Sequence, residues 1–186
     1  MRCTMILGGN GMVSKTEIEM ALSDERFGAY ISYCVHNHDR ACALYLWNME
    51  VGSAFLPWLN ITEIILRNQI HHVLCMVHGT QWPWSDGFER TLPTKGFNPR
   101  EILQKARNKH RQSLQTGKVV ADLSFAFWQH LLTKKYVAPL WNKHLYHAFP
   151  NLDKNISVTD NLSRIHSQIE QIRALRNRIA HHEPVY

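Results

Sequence analysis

The 186-residue chain lacks a long apolar run, a paired cysteine motif and a visible secretory signal. Its apolar stretches, such as Val51 to Leu59, are short and interrupted by Gly52 and Pro57, whereas a membrane-spanning helix needs about 20 apolar residues. The four cysteines form no C-x-x-C pair and lie among apolar residues, as is typical of thiols in a reducing compartment. These absences predict a cytoplasmic protein that does not associate with a membrane.

Strand patterns are also missing, because no stretch alternates between apolar and polar residues. Apolar residues instead recur at threes and fours, which predicts an all-α fold, an irregular up-and-down helical bundle. In one segment, 39–77, Gly52 and Pro57 are the expected kink points. The predicted helical segments are a pair of short helices in 14–31, one or two helices in 39–77, and single helices at 98–117, 119–132, 138–149 and 157–182.

The composition is that of one globular domain, with 45% hydrophobic and 19% charged residues. Residues 1–13 contain three glycines and little periodicity, and we interpret them as a flexible tail. Helical periodicity begins at Ser14, where Glu17 is spaced as its capping-box partner. The predicted organisation is therefore a tail at 1–13 and a single domain at 14–186.

A segment at 79–98 interrupts the helical pattern with prolines and glycines around Trp82, Trp84 and Phe88. A loop of about 20 residues is unusual in a compact domain and is often functional or a partner surface. The alternative, which we favour, is that the two tryptophans attach the loop to the bundle.

Net charge favours polyanionic partners, since the chain carries +6 at pH 7. RNA, DNA and anionic membranes all fit this charge, so it does not choose among them. The basic run from Lys105 to Arg111 is expected to form a solvated face, which could follow a phosphate backbone without recognising its sequence.

The twelve histidines do not group in the manner of a metal site. On a helix, adjacent residues such as His71 and His72 diverge by about 100°. His144 and His147 have a useful helical spacing, but two ligands make a poor zinc site. We therefore expect no metal and no cofactor.

The C-terminal helix carries the densest set of chemically useful residues. Arg176 falls within its apolar stripe, formed by Leu162, Ile165, Ile169, Ile172 and Ile179. A buried charge must be partnered, reach water or face a site that uses it. Arginine offers a fixed fork of donors to phosphoryl oxygens, and a nearby histidine can move the proton of a ribose hydroxyl.

Helical geometry separates two of these residues, since Arg176 and His181 lie roughly 140° apart around an ideal helix. Asn177 and His181 are four apart and share a face, so Asn177 could orient the imidazole. Arg176 could then reach round the helix or serve a second subunit. The spacing leaves open a site completed by two chains.

Arg176-Asn177-x-x-x-His181 resembles the arginine, polar residue and histidine signature of HEPN ribonucleases. Across about Leu22 to Tyr186 the chain also resembles the Abi-like (abortive infection, AbiD/AbiF-type) family of bacterial HEPN proteins. The segments that carry this resemblance are Leu44-Tyr45-x-Trp47-Asn48, Glu63-x-x-x-Arg67-Asn68, the stretch from Gly117 to Trp128, and the stretch from Asn177 to Pro184.

The resemblance implies a helical bundle that forms a homodimer through its C-terminal helices and cleaves RNA without a metal ion. Attack by the 2′-OH would give a 2′,3′-cyclic phosphate, with Arg176 stabilising phosphate charge and His181 as the acid/base group. Arg178 and His182 would bind RNA or support the site. The family further implies a toxin or an anti-phage abortive-infection effector, which an RNA or protein antitoxin could restrain.

A second polar cluster contains Glu63, Arg67, Asn68, His71 and His72. Glu63 and Arg67 have the spacing of a structural ion pair, the interpretation we favour. Alternatively, Glu63 orients Arg176, or Arg67 lines the same RNA cleft. A second function also remains open, a catalytically silent helical module that binds RNA or a protein through this surface, because one fold can host both.

Overall fold

The computed structural model describes residues 20–186, and all regular structure in this range is helical, which confirms the all-α prediction. The predicted tail at 1–13 and the capping box of Ser14 and Glu17 lie outside the described residues. The α-helices are α1 (Asp24–Tyr33), α2 (His38–His78), α3 (Asp86–Thr91), α4 (Pro99–Lys109), α5 (Thr116–Asp122), α6 (Phe125–His130), α7 (Asn142–Ala148) and α8 (Val158–Ala180). Short 3₁₀ helices occupy Trp82–Trp84 and Lys134–Tyr136, and a π-helical turn occupies Val137–Trp141.

The chain divides into two compact units. Unit 1 comprises Met1–Pro57, described from residue 20, together with Leu175–Tyr186. Unit 2 comprises Trp58–Ala174. The single domain at 14–186 stays a prediction, and each unit is described by itself below.

Side-chain caps define several helix starts. The Asn98 side chain accepts the Glu101 amide at 3.1 Å, as the sequence predicts for the start of α4. Ser157 accepts the Asp160 amide at 3.1 Å and donates to its carboxylate at 2.7 Å, beginning α8. The segment 39–77 proves to be one helix, α2, which contains Pro57 in its interior.

The core of unit 2 is rich in tryptophan. Trp82, Trp128 and Trp141 are fully buried, and the Trp82 indole N–H donates to Nδ1 of His71 at 3.0 Å. The segment 79–98, predicted as a loop, contains the short helix α3, because Ser85 caps it by accepting the Phe88 amide at 3.3 Å. Burial of Trp82 agrees with the interpretation that this segment is attached to the core.

The core of unit 1 is smaller and aromatic. It contains Phe27, Tyr30, Ala41, Cys42 and Tyr45. Tyr30 and Tyr45 meet edge to face with ring centroids 5.3 Å apart. Within residues 20–186, no helix has the length and apolar character needed to cross a membrane.

Candidate active site at the end of α8

The C-terminus of α8 closes in a Schellman arrangement. The His182 amide donates to the Ile179 carbonyl at 3.0 Å, and the Glu183 amide donates to the Arg178 carbonyl at 2.8 Å. His182 adopts a φ of 56°, the left-handed conformation for which glycine is usual at this position. A side chain there costs about 1–2 kcal/mol of backbone strain, so the surroundings must hold this turn in place.

The predicted catalytic residues lie on either side of that turn. Arg176 and Asn177 are half-buried in the last turn of α8, and His181 follows the helix and is exposed. The His181 amide donates to the Asn177 carbonyl at 2.9 Å. Within the described residues, no side-chain hydrogen bond joins Asn177 and His181, so orientation of the imidazole by Asn177 stays a prediction.

Asn48 holds the chain that follows α8. This side chain, only 6% exposed, lies on α2 and accepts the Val185 amide at 2.8 Å. Its amide nitrogen donates to the Glu183 carbonyl at 3.4 Å. Both ends of the Asn48 amide are thereby used, as a buried polar group requires. The structure identifies Asn48 as a positioning residue to which the sequence assigned no role.

A glycine on α2 permits close approach to α8. A Cβ atom built on Gly52 would lie 3.4 Å from Cγ2 of Ile179, which already makes van der Waals contact. Because Gly52 has no side chain, the backbone of α2 can lie this close to Ile179. Ile179 lies between Asn177 and His181 in the sequence. The packing of Ile179 against Gly52 therefore helps to place these two predicted catalytic residues in unit 1.

A small cavity of about 120 Å³ opens beside this turn. Its lining comprises Tyr45, Asn48, Met49, Gly52, Ser53, Leu56, Ile179, His182, Glu183 and Val185. His182 thus lies at the cavity, whereas Arg176, Asn177 and His181 are not in its lining. The predicted supporting residue and the predicted catalytic residues therefore face different surroundings.

Tyrosines anchor the last residues of the chain. The Tyr186 ring lies 4.5 Å from that of Tyr33 and 5.8 Å from that of Tyr30, between centroids. Burial raises the pKa of Tyr30 to about 12, with Tyr186 and Tyr45 acting in the same direction. At neutral pH Tyr30 is therefore protonated, and it serves as a packing group rather than a base.

The second predicted cluster lies in unit 2. Glu63 and Arg67 are half-buried on α2, and Asn68 is exposed. Nε of Arg67 is buried and has no hydrogen-bond partner among the described residues. Burial, His72 and Arg67 together lower the pKa of His71. Since Arg176 belongs to unit 1, the hypothesis that Glu63 orients it stays a prediction.

Metal-ligating side chains do not converge in the part of the chain that the structure describes. There, no group of three or more His, Cys, Asp or Glu residues is placed to hold a metal ion.

The comparisons with known proteins identify a family. A family model described as Abi-like protein matches residues 30–186, which is most of the chain and includes the end of α8. Comparison with curated proteins gives no match. Comparison with solved structures also gives none.

Proposed function

Because the chain belongs to the Abi-like protein family, which suggests abortive infection or a related defence function, we propose that it is a metal-independent endoribonuclease of the HEPN class. It would act in the cytoplasm as a toxin or abortive-infection effector. The observation that carries this proposal is the combination of half-buried Arg176 and exposed His181 at the end of α8, on a turn that Asn48 holds in place.

The proposed reaction is an internal phosphoryl transfer. The ribose 2′-oxygen attacks phosphorus, the bond from phosphorus to the 5′-oxygen breaks, and the products are a 2′,3′-cyclic phosphate and a 5′-OH. One group accepts the 2′-OH proton and another supplies a proton to the leaving oxygen. Arg176 binds the phosphoryl oxygens, and Arg178 and His182 contact the RNA around them.

A homodimer would bring Arg176 of one chain to His181 of the other. His181 would then transfer the proton of the reaction at a phosphate that Arg176 of the other chain binds. Pairing through the C-terminal helices would bring two copies of the motif together by two-fold symmetry. An RNA or protein antitoxin would restrain the activity by covering this surface.

End mapping of the cleaved RNA tests the chemistry. Purified protein is incubated with mixed RNA in EDTA, and the fragment ends are identified. We expect undiminished cleavage, with 2′,3′-cyclic phosphate and 5′-OH ends. Activity that disappears with EDTA and returns with Mg²⁺ or Mn²⁺, or fragments with 5′-phosphates, would contradict the proposal.

The alternative function is a catalytically silent RNA- or protein-binding module. It is favoured by the His182 side of the turn, where the cavity offers a binding surface that lies apart from His181. RNA that binds the pure protein and stays intact would support this alternative.

A further inference from the structure

Unit 2 contains an open, basic cavity that the proposed chemistry does not use. Its volume is about 520 Å³, within the usual range for ligand sites. It lies where the chain leaves α4 and enters α5, and its lining comprises Asn108, Lys109, His110, Arg111, Gln112, Ser113 and Lys118. Every one of these side chains is polar.

Most basic residues on the body of α4 are already committed to partners. Arg107 lies 2.7 Å from the Glu89 carboxylate and also donates to the Pro83 carbonyl at 3.3 Å. Lys105 lies 2.6 Å from Glu101. The predicted basic face from 105 to 111 is therefore not uniformly solvated, and its available charge is concentrated at the cavity.

Positive charge at the cavity exceeds what the nearby carboxylate can neutralise. Asp122 accepts from His110 at 3.1 Å and pairs with Lys109 at 3.3 Å. The hydrogen bond from His110, followed by Lys109, lowers the pKa of Asp122. Arg111 and Lys118 are exposed and make no ion pair with the described residues. Two cations thus remain available.

We propose that this cavity is a second RNA-contact site, which binds the phosphate backbone of single-stranded RNA without recognising its sequence. The inference rests on the proposed function, since the cavity would bind the RNA that the proposed reaction cleaves. Arg111 and Lys118 contact phosphates, and the side-chain amides of Asn108 and Gln112 form hydrogen bonds with sugar hydroxyls.

The surface around the cavity favours RNA over a membrane. A membrane-bound surface combines basic residues with several exposed apolar ones. Between residues 105 and 118, Leu114 is the one large apolar side chain that is strongly exposed. A concave polar wall with surplus charge suits a flexible phosphate chain instead.

The test measures binding separately from cleavage. In a His181→Ala background, a labelled poly(U) oligonucleotide is titrated at several KCl concentrations, with and without Arg111→Ala/Lys118→Ala. Loss of two phosphate contacts should weaken binding by about tenfold and reduce the slope of log K against log[salt] by about 1.4. Lys143→Ala/Lys154→Ala removes the same charge from exposed positions outside the cavity and should change neither by as much.

The outcomes separate this inference from the proposed function. An unchanged slope, or an equal loss in the control double variant, would overturn the site even if His181→Ala abolishes cleavage. A reduced slope in a protein that never cleaves RNA would preserve the site and overturn the nuclease. Vesicles of phosphatidylglycerol test the membrane alternative. If Arg111→Ala/Lys118→Ala lost binding to these vesicles while its RNA binding stayed unchanged, the cavity would bind a membrane and the inference would be overturned.

Discussion

At the scale of single residues, two opposing contributions decide the geometry of the turn after α8. The left-handed conformation of His182 destabilises the turn by about 1–2 kcal/mol. The Asn48 hydrogen bonds to Val185 and Glu183 each contribute about 0.5–1.5 kcal/mol. The two effects are of similar size, so the position of His181 depends on Asn48.

Replacing His181 with alanine should abolish cleavage with little effect on folding. General acid/base groups contribute about a hundred- to ten-thousandfold to a rate, and His181 is exposed. RNA cleavage rates and the melting temperature are the measurements, with His147→Ala as an exposed-histidine control. Arg176→Ala should also inactivate but weaken RNA binding more, and Asn177→Ala should have an intermediate effect. Cleavage at the parental rate by His181→Ala would remove this residue from the mechanism.

Replacing Asn48 with alanine should lower both stability and turnover. The Val185 amide would lose its buried acceptor, at a cost of about 1–3 kcal/mol in the free energy of unfolding. Displacement of His181 should lower kcat while leaving KM for RNA nearly unchanged. Asn48→Gln keeps an acceptor for Val185 and a donor for Glu183, and should recover part of both losses. If Asn48→Ala lost stability but kept full kcat, its role would be structural alone.

At the scale of helices, the elements that begin with strong caps were predictable. Ser157 with Asp160 predicts the start of α8, and the structure begins this helix at Val158. The predicted helix at 98–117 instead ends at Lys109, where the Ser113 and Leu114 amides turn back to the His110 carbonyl. Neither glycine nor proline marks that turn, so no residue pattern predicts where α4 ends.

Two further features were not predicted, one for a local reason and one for a long-range reason. The predicted helix at 119–132 is divided into α5 and α6, because Ser124 accepts the Phe127 amide at 3.3 Å and starts a new helix. At the site, local spacing correctly predicts that the motif lies at a helix end. Asn48 could not be paired with Glu183 in this way, since 135 residues separate them.

The pairing of α2 with the segment 79–98 should depend on pH. Trp82 donates to Nδ1 of His71, which can accept only when the imidazole is neutral. Burial is the main cause that lowers the pKa of His71 below its usual 6.5, and the charges of His72 and Arg67 act in the same direction. Burial also lowers the pKa values of His78 and His130. A histidine whose pKa is lower in the folded state contributes its full stabilisation above pH 6.5. The folded state loses that stabilisation as the pH falls from there through the folded-state pKa.

We therefore expect the free energy of unfolding of the protein to fall as the pH drops below about 6.5. Urea unfolding followed by tryptophan fluorescence at a series of pH values measures this dependence. His71→Gln should reduce the slope, whereas exposed His147→Gln should not. A free energy that stays constant or rises on acidification would refute the burial argument.

At the scale of the whole molecule, the distribution of apolar surface favours association. In unit 2, Trp58, Ile61 and Ile65 lie at three-four spacing on α2 and are 69%, 52% and 55% exposed. Apolar faces of this kind are typical of surfaces that a partner covers. In unit 1, the spacing of the motif on an ideal helix separates Arg176 from His181 by roughly 140°, so a complete site is easier to assemble from two chains.

Mixing two inactive variants tests whether the site is shared between chains. In a composite site, Arg176 of one chain would act with His181 of the other, so Arg176→Ala and His181→Ala dimers are each inactive. A mixed dimer would then contain one site with both residues intact. Random exchange of subunits makes about half of the dimers mixed, and half of their sites work, so about a quarter of the parental activity should return.

Light scattering at micromolar concentration verifies the dimer, and subunit exchange is verified with differently labelled chains. Full exchange without any return of activity, or a fully active monomer, would show that each chain carries a complete site of its own.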